Sequence, residues 1–448
     1  MTGKVLLILA MLASVPAWSQ ATGTAETPDT PVTNDGMMTP PPVSGQAFPV
    51  LTGAEVRNNY MNVGVTAGVA YDDNVEAGYS PTPESDMIYS VWPTITLDKS
   101  TLRVREVFNY SPGFSFYQPN TIFNESDQNA SANLQYRMGS HATVSLLDAF
   151  VRSSSLFDQP FGSGLGDVTG GAPTQATGVI AAFADRISNA ANVQLTDQSG
   201  DNGMFGIAGQ YGQLDYPNSS QVPGLYNSTS WTASAFASQR LNARQYFGAQ
   251  VQHARIVSFL KGTDNAVQRD NIFGFYTFYF RNAPQSNLSL SITGGPEHYS
   301  ISQSPEPLLE AWVPSVTAAV TWLEHRSTAS GSYTHDVTAG GGLPGAYTAD
   351  SAQGFFRRQL TPTWSVNFSG LYSRNKNLTP SYPFSEPGGH TYAASVVAEH
   401  ALSRNMKFKV GYDWMDESYL GIGALAKLPN SNREYGSITY QFSRPLGR

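Results

Sequence analysis

The stretch Met61-Asn62-Val63-Gly64-Val65-Thr66-Ala67-Gly68-Val69-Ala70-Tyr71 decides the fold. Met61, Val63, Val65, Ala67, Val69 and Tyr71 alternate with Asn62, Gly64, Thr66, Gly68 and Ala70. An extended chain therefore turns its larger apolar side chains to one side and the small or polar ones to the other. No helical period competes with this pattern. Further on, Met87, Tyr89, Val91, Pro93, Ile95 and Leu97 repeat the scheme, Asp98-Lys99-Ser100 turns the chain, and Leu102, Val104, Phe108 and Tyr110 carry it back. That is a hairpin with a short turn.

The same unit recurs to the C-terminus. Short turns are expected near Gly139-Ser140, Ser199-Gly200-Asp201, Leu241-Asn242, Ala283-Pro284-Gln285, His325-Arg326, Leu360-Thr361-Pro362 and Ser403-Arg404-Asn405. Longer connections fall near 73–86, 119–127, 153–183, 217–228, 260–269, 303–308, 339–345, 376–389 and 421–430. Short and long alternate strictly, as in a transmembrane barrel with tight turns on one side and long loops on the other. Backbone polar groups in lipid must all be paired, so a spanning sheet has to close on itself. The expected fold is all-β: a transmembrane antiparallel up-and-down β-barrel of about 18 strands over 59–443, with short periplasmic turns and long extracellular loops. Sixteen strands remain open, because 142–151 and 328–337 alternate poorly. A secreted adhesin or a polysaccharide-binding sandwich would alternate too, but its connections need not sort by parity.

Aromatic residues favour the barrel. Trp92, Tyr110, Tyr117, Tyr136, Tyr211, Trp231, Tyr246, Trp312, Trp322, Trp364, Tyr392, Trp414 and Tyr440 stand near strand ends, as two interfacial girdles require. The closing strand, in which Ile438, Tyr440 and Phe442 alternate outward, is of the aromatic-rich kind that barrel-assembly machinery reads; 444–448 would follow it as a short tail.

Composition agrees. Only 13% of the 448 residues are charged, against roughly 25% in an ordinary soluble domain. A mean hydropathy of -0.26 shows that neutral polar residues and aromatics, not aliphatic runs, replace the charge. The one long apolar run, Val5 to Ala17 behind Lys4, falls well short of the ~20 residues of a spanning helix. It reads as a signal peptide over 1–21, cleaved between Ser19 and Thr22. Residues 22–58 have the Pro/Thr-rich composition of a disordered periplasmic linker. Within it Asp29-Thr30-Pro31-Val32 is similar to the energy-coupling box of plugged receptors, but a strand begins too soon for a plug domain. With no cysteine there is no disulfide framework and no Cys-ligated metal. A net charge of -8 argues against nucleic acid as a partner.

Gly68-Val69-Ala70-Tyr71-Asp72-Asp73-Asn74-Val75, followed by Ser85-Asp86, Pro93 and Leu97, resembles the second of the beta-barrel porin families that share that name. The closing run Tyr440-Gln441-Phe442-Ser443-Arg444-Pro445-Leu446-Gly447 is similar to the family's endings. The resemblance covers the chain from about Asn59 on and implies an outer-membrane location, a pore and a frequent link with exopolysaccharide export. It brings no substrate and no residue role beyond the motif Tyr71, Asp72, Asp73 and Asn74, whose task it leaves unknown.

If the apolar faces meet lipid, the opposite positions line the lumen. These include Arg103, Arg105, Asn133, Gln135, Arg137, Arg186, Ser188, Asn192, Gln194, Thr196, Gln250, Gln252, Lys407, Lys409, Thr439 and Gln441. The charged ones are basic, and rings of Arg or Lys favour anions. Alternatively, Arg103, Arg137 and Lys407 only mark the periplasmic rim. Glu106 falls in the apolar phase of its strand and calls for a bulge. Asp72, Asp73 and Asn74 could share a divalent cation with lipopolysaccharide, or serve only as turn chemistry. The seven histidines are dispersed, with no metal spacing and no hydrolase motif, so neither an enzyme nor a cofactor is expected. The connection 153–183 could fold inward as a constriction, where Asp158 and Asp167, with Asp185 just beyond, would face the basic wall; it could equally be a surface flap.

Three functions fit. The first is passive diffusion of small polar solutes or ions through a porin-like channel in the bacterial outer membrane, among its lipid and lipopolysaccharide. The second is export of an exopolysaccharide. The third is a closed structural or adhesive surface barrel, which inward-pointing Phe236, Phe150 and Tyr435 would favour. Oligomeric state is open; the Ala-rich stretch Trp231 to Ala237 is the candidate face for a trimer.

Overall fold

An open sheet of alternating strands would leave two edges of unpaired N–H and C=O groups, and only closure removes both. In a computed structural model the chain closes. Described are residues 59–75, 82–139, 141–153, 186–200, 202–217, 226–260, 263–283, 286–303, 308–338, 346–378, 388–420 and 430–446. The expected signal peptide, the linker and most of the connection 153–183, with Asp158, Asp167 and Asp185, lie outside them.

Eighteen strands follow one another: β1 (Tyr60–Asp72), β2 (Asp86–Ser100), β3 (Val104–Gln118), β4 (Glu125–Arg137), β5 (Ala142–Ser153), β6 (Arg186–Ser199), β7 (Gly203–Asp215), β8 (Ser228–Asn242) and β9 (Gln245–Leu260). Then come β10 (Thr263–Ala283), β11 (Ser286–Gln303), β12 (Leu309–Glu324), β13 (Ser327–Thr338), β14 (Tyr347–Gln359), β15 (Trp364–Asn377), β16 (Gly388–Ala401), β17 (Met406–Leu420) and β18 (Asn430–Pro445). Each pairs antiparallel with its sequence neighbours, and β18 pairs with β1, so the sheet is an up-and-down barrel.

Eighteen, not sixteen, is the strand number, because the two weakly alternating stretches each pair with a strand on both sides. Their pattern is weak for a physical reason. On β5 the outward Asp148 accepts a hydrogen bond from Asn189 Nδ2 at 3.1 Å, and on β13 the outward positions include Ala329, Gly331 and His335. Two expected boundaries move. The connection expected at 260–269 is instead a continuation of the ladder, with Thr263 paired to Leu260, which makes β10 21 residues long. The tail expected at 444–448 begins later, because Pro445 pairs with Tyr60 and Leu446 N–H donates to Asn59 O at 2.8 Å.

Alternation sorts the side chains. Val63, Val65, Val69, Phe108, Phe116, Ile207 and Phe442 are exposed on the outer face, whereas Asp72, Asp86, Asp127 and Ser431 are buried on the inner one. A closed barrel with an apolar exterior spans a membrane, and such barrels belong to bacterial outer membranes. Glu106 needs no bulge: the register does not shift along β2 and β3 and places it opposite Lys99 on the outer face, next to the turn 101–103. Three of the expected girdle aromatics are corrected. Trp92 packs over Gly113, Tyr117 packs with Ala70 and Ile88, and Tyr246 packs with Met204, Phe236 and Phe275, all inside the barrel.

Candidate functional site

The candidate site is the inner wall. Its phase is fixed by the most buried polar residue of each strand, since neighbours two apart share a face. On β4 Asn133, Gln135 and Arg137 share the phase of buried Asp127; on β6 Ser188, Asn192 and Gln194 share that of Arg186 and Thr196. Gln250, itself 1% exposed, sets the phase of Gln252 on β9. Lys407 and Lys409 share the phase of Asp413, and Thr439 and Gln441 that of Ser431. Arg105 shares the phase of Ser115. Arg103 is the exception: it sits exposed in the turn 101–103, outside any strand, because β3 starts only at Val104. Arg137 is the last residue of β4 and marks the same rim.

The wall is not uniformly basic. Near the short turns it carries Arg105, Arg137, Arg240, Arg357, Lys407 and Lys409 against the carboxylates Asp98 and Glu399. Glu399 Oε1 lies 3.1 Å from Lys407 Nζ and its Oε2 3.8 Å from Lys409 Nζ. Near the long loops the same wall carries Asp72, Asp86, Asp127, Glu297, Asp336, Asp413 and Glu417 against Arg186, Arg269 and Arg433. Arg269 on β10 is the hub of one such group. Its Nη1 lies 3.5 Å from Glu297 Oε1 and 3.4 Å from Asp336 Oδ2, and it donates to Val337 O. Most of these acidic residues escape a reading that starts from isolated strands; the signal that finds them is the phase opposite the exposed aromatics.

Three of the large inward side chains lie flat on the wall. Phe236 sits opposite Gly206, Phe275 opposite Gly248 and Tyr435 opposite Gly411. A Cβ built on each glycine would come within 2.2–2.4 Å of the facing ring. The rings therefore lie over bare backbone on the neighbouring strand, a position only glycine vacates. Phe150, in phase with exposed Leu146, faces outward.

The motif at the end of β1 sews the seam of the barrel. Asp73 Oδ1 accepts from Asn432 N–H at 2.8 Å and its Oδ2 from Asn432 Nδ2 at 2.7 Å, while Asp73 N–H donates to Asn432 O at 3.1 Å. Asp72 Oδ1 accepts from Ser431 Oγ and from Asn74 N–H, both at 2.9 Å, and Asn74 Nδ2 donates to Asn430 O at 2.8 Å. Tyr71 faces outward, exposed. Turn chemistry and strand-to-strand bonds thus occupy these oxygens, and among the described residues no group of three or more His, Asp or Glu could hold a metal ion.

On the outer face Gly209, Ala233 and Ala235 floor a groove of about 720 Å³ walled by Val193, Ile207, Val251 and Trp312. It coincides with part of the Ala-rich stretch singled out from the sequence. Two His–Asp pairs, His253 with Asp270 at 2.6 Å and His335 with Asp350 at 2.7 Å, lie on the same exterior.

No family model matches the chain, and no curated protein does. Among solved structures it is similar to OccK2 (OpdF) of Pseudomonas aeruginosa, at 10% identity and a TM-score of 0.42 over 86% of this chain and 98% of that one. The outer membrane protein OprD of the same organism gives 9% and 0.40 over 86% and 94%. The ferric-catecholate import receptor Fiu of E. coli K12 gives 7% and 0.42 over 85% and 81%. At such identities no residue role passes from these proteins to this chain.

Proposed function

We propose that the chain is a porin-like channel for passive diffusion of small polar solutes or ions across the outer membrane. The observation that carries it is the inner wall: a lining of amides, hydroxyls and charges, in which Trp92, Phe236, Phe275 and Tyr435 are seated on glycines of the adjacent strand. A closed surface barrel would fill its bore with such rings, so their placement speaks against that alternative. Arg105, Asn133, Gln135, Arg137, Arg186, Gln194, Gln250, Gln252, Lys407 and Lys409 are the proposed pore lining; Arg103 belongs to the rim.

The surroundings follow from the same reading. The chain is exported through a cleaved signal at 1–21, and assembly machinery reads the strand bearing outward Tyr440 and Phe442. Lipid and lipopolysaccharide surround the exposed apolar face. The short motifs around Tyr71–Asn74 and the C-terminal run support membership of the second beta-barrel porin family.

Refolded mature chain in a planar bilayer tests the proposal, with heat-modifiable gel mobility as proof of folding. Steady open steps are the expected result. A folded barrel that passes no current overturns the channel.

A further inference from the structure

The two ends of the inner wall differ in sign, and one strand shows it alone. Inward positions along β17 read Lys407, Lys409, Gly411, Asp413, Met415 and Glu417 from the short-turn end to the long-loop end. The neighbouring strands add counter-charges rather than repeating the order, and the surplus around the whole wall sets the sign of each half, acidic near the long loops and basic near the short turns. Arg433 on β18 and Ser395 on β16 flank the acidic half of β17, whereas Glu399 is clamped by Lys407 and Lys409 in the basic half, within the field of Arg357. Beyond the seam, Asp72 ends β1 and Asp86 begins β2 at the loop end, while Arg105 on β3 and Arg137 on β4 stand at the short-turn rim.

Lys409 and Asp413 are separated by roughly 13 Å along the strand at ~3.3 Å per residue. The Debye length is about 10 Å at 0.1 M salt and about 3 Å at 1 M. In dilute salt the two zones therefore keep their separate signs instead of cancelling. Building on the channel reading above, we propose that the lumen is a bipolar filter, which rectifies ionic current and admits zwitterionic or uncharged polar solutes ahead of singly charged ones.

The physics follows from the order of the zones. A cation is drawn into the acidic end and repelled at the basic end; an anion meets the reverse, so each must cross one unfavourable zone. A zwitterion carries no net charge through either zone, and its own dipole can align with the axis. Rectification has a definite sign. When the loop side is positive, cations enter through the acidic zone and anions through the basic zone, both accumulate between the zones, and conductance is high. Reversed voltage drains both ions from the middle.

Current–voltage curves of the refolded chain in symmetric KCl test this, with orientation read by streptavidin on a biotinylated Leu308→Cys, an exposed loop-end site in a cysteine-free chain. Expected at 0.1 M is a current at least twofold larger with the loop side positive, and a ratio near one at 1 M. A linear curve at 0.1 M, or the opposite sign, overturns the filter and leaves the channel standing. A folded barrel without current overturns the channel and the filter together. Proteoliposome swelling should rank taurine ahead of isethionate and of choline; either ion leading overturns the proposal. In Arg357→Gln/Glu399→Gln/Lys407→Gln/Lys409→Gln the rectification should fall and the reversal potential in a salt gradient should move toward cations. Unchanged rectification in that folded variant would refute the assignment of the basic zone, and the native curve decides should the variant not fold.

Discussion

The seam between β18 and β1 and the tall wall of β9 to β11 solve the same pairing problem differently. At the seam the partners are 359 residues apart in sequence, as between Asp73 and Asn432, and no turn sets their register. Side chains do it: Asp72, Asp73 and Asn74 bond to the first residues of β18. In the tall wall the partners are close in sequence, Thr263 pairing with Leu260, and the ladder runs unbroken from Thr263 to Phe278. Side chains there are released from setting register and hold buried charge instead, as Arg269 does for Glu297. Polar side chains thus buy register where the chain cannot, and shape the interior where it can.

The largest expected effect breaks the wall. Glu297 is 0% exposed beside Arg269. Arg269→Ala would leave that carboxylate without its guanidinium, at a cost of about 3–5 kcal/mol. The urea midpoint of the heat-modifiable gel shift should fall accordingly, and Arg269→Ala/Glu297→Gln should recover much of it. A loss below about 1 kcal/mol would mean that water in the bore already screens the pair.

Next is the seam. Asp73→Ala removes both carboxylate bonds to Asn432 and should cost about 1.5–3 kcal/mol, the range for hydrogen bonds to charged groups. Register can be read directly, because Val65 faces Tyr440 and the chain has no cysteine of its own. In Val65→Cys/Tyr440→Cys the cross-link should form readily and its yield should drop when Asp73→Ala is added. An unchanged yield would show that the backbone ladder suffices, erasing the contrast with the wall.

The smallest effect concerns the glycines both regions share. Gly411→Ala near the seam and Gly248→Ala in the wall each push a Cβ into a ring, Tyr435 and Phe275 respectively, and overpacking of this kind costs about 1–3 kcal/mol. Gly209→Ala on the outer face meets only Val193 Cγ1 at 3.6 Å and should change stability by less than about 0.5 kcal/mol. Equal effects at inner and outer glycines would disprove the ring-over-glycine account.

Much of this molecule was legible before any coordinates. Period two in Met61 to Tyr71 and its repeats specify strands, the alternation of short and long connections specifies an up-and-down order, and an apolar face that must meet lipid demands closure. Those are local properties, carried by residues within one strand or one turn. The motif at Tyr71 to Asn74 was visible too, but not its partner, since Asn432 lies at the far end of the chain. Trp92, Tyr117 and Tyr246 read as girdle residues because nearness to a strand end says nothing about which face they occupy. The acidic half of the lumen was missed for a related reason: Asp413 and Glu417 look like scattered surface charges until β17 is placed beside β16 and β18.

What the sequence alone determined is the alternation, and with it the class of fold and its two faces. Tertiary structure alone decided which residues share a level of the bore. Strands tilt and stagger when a sheet closes, and the height of each charge depends on how every strand slides against the next, a property that no single segment contains.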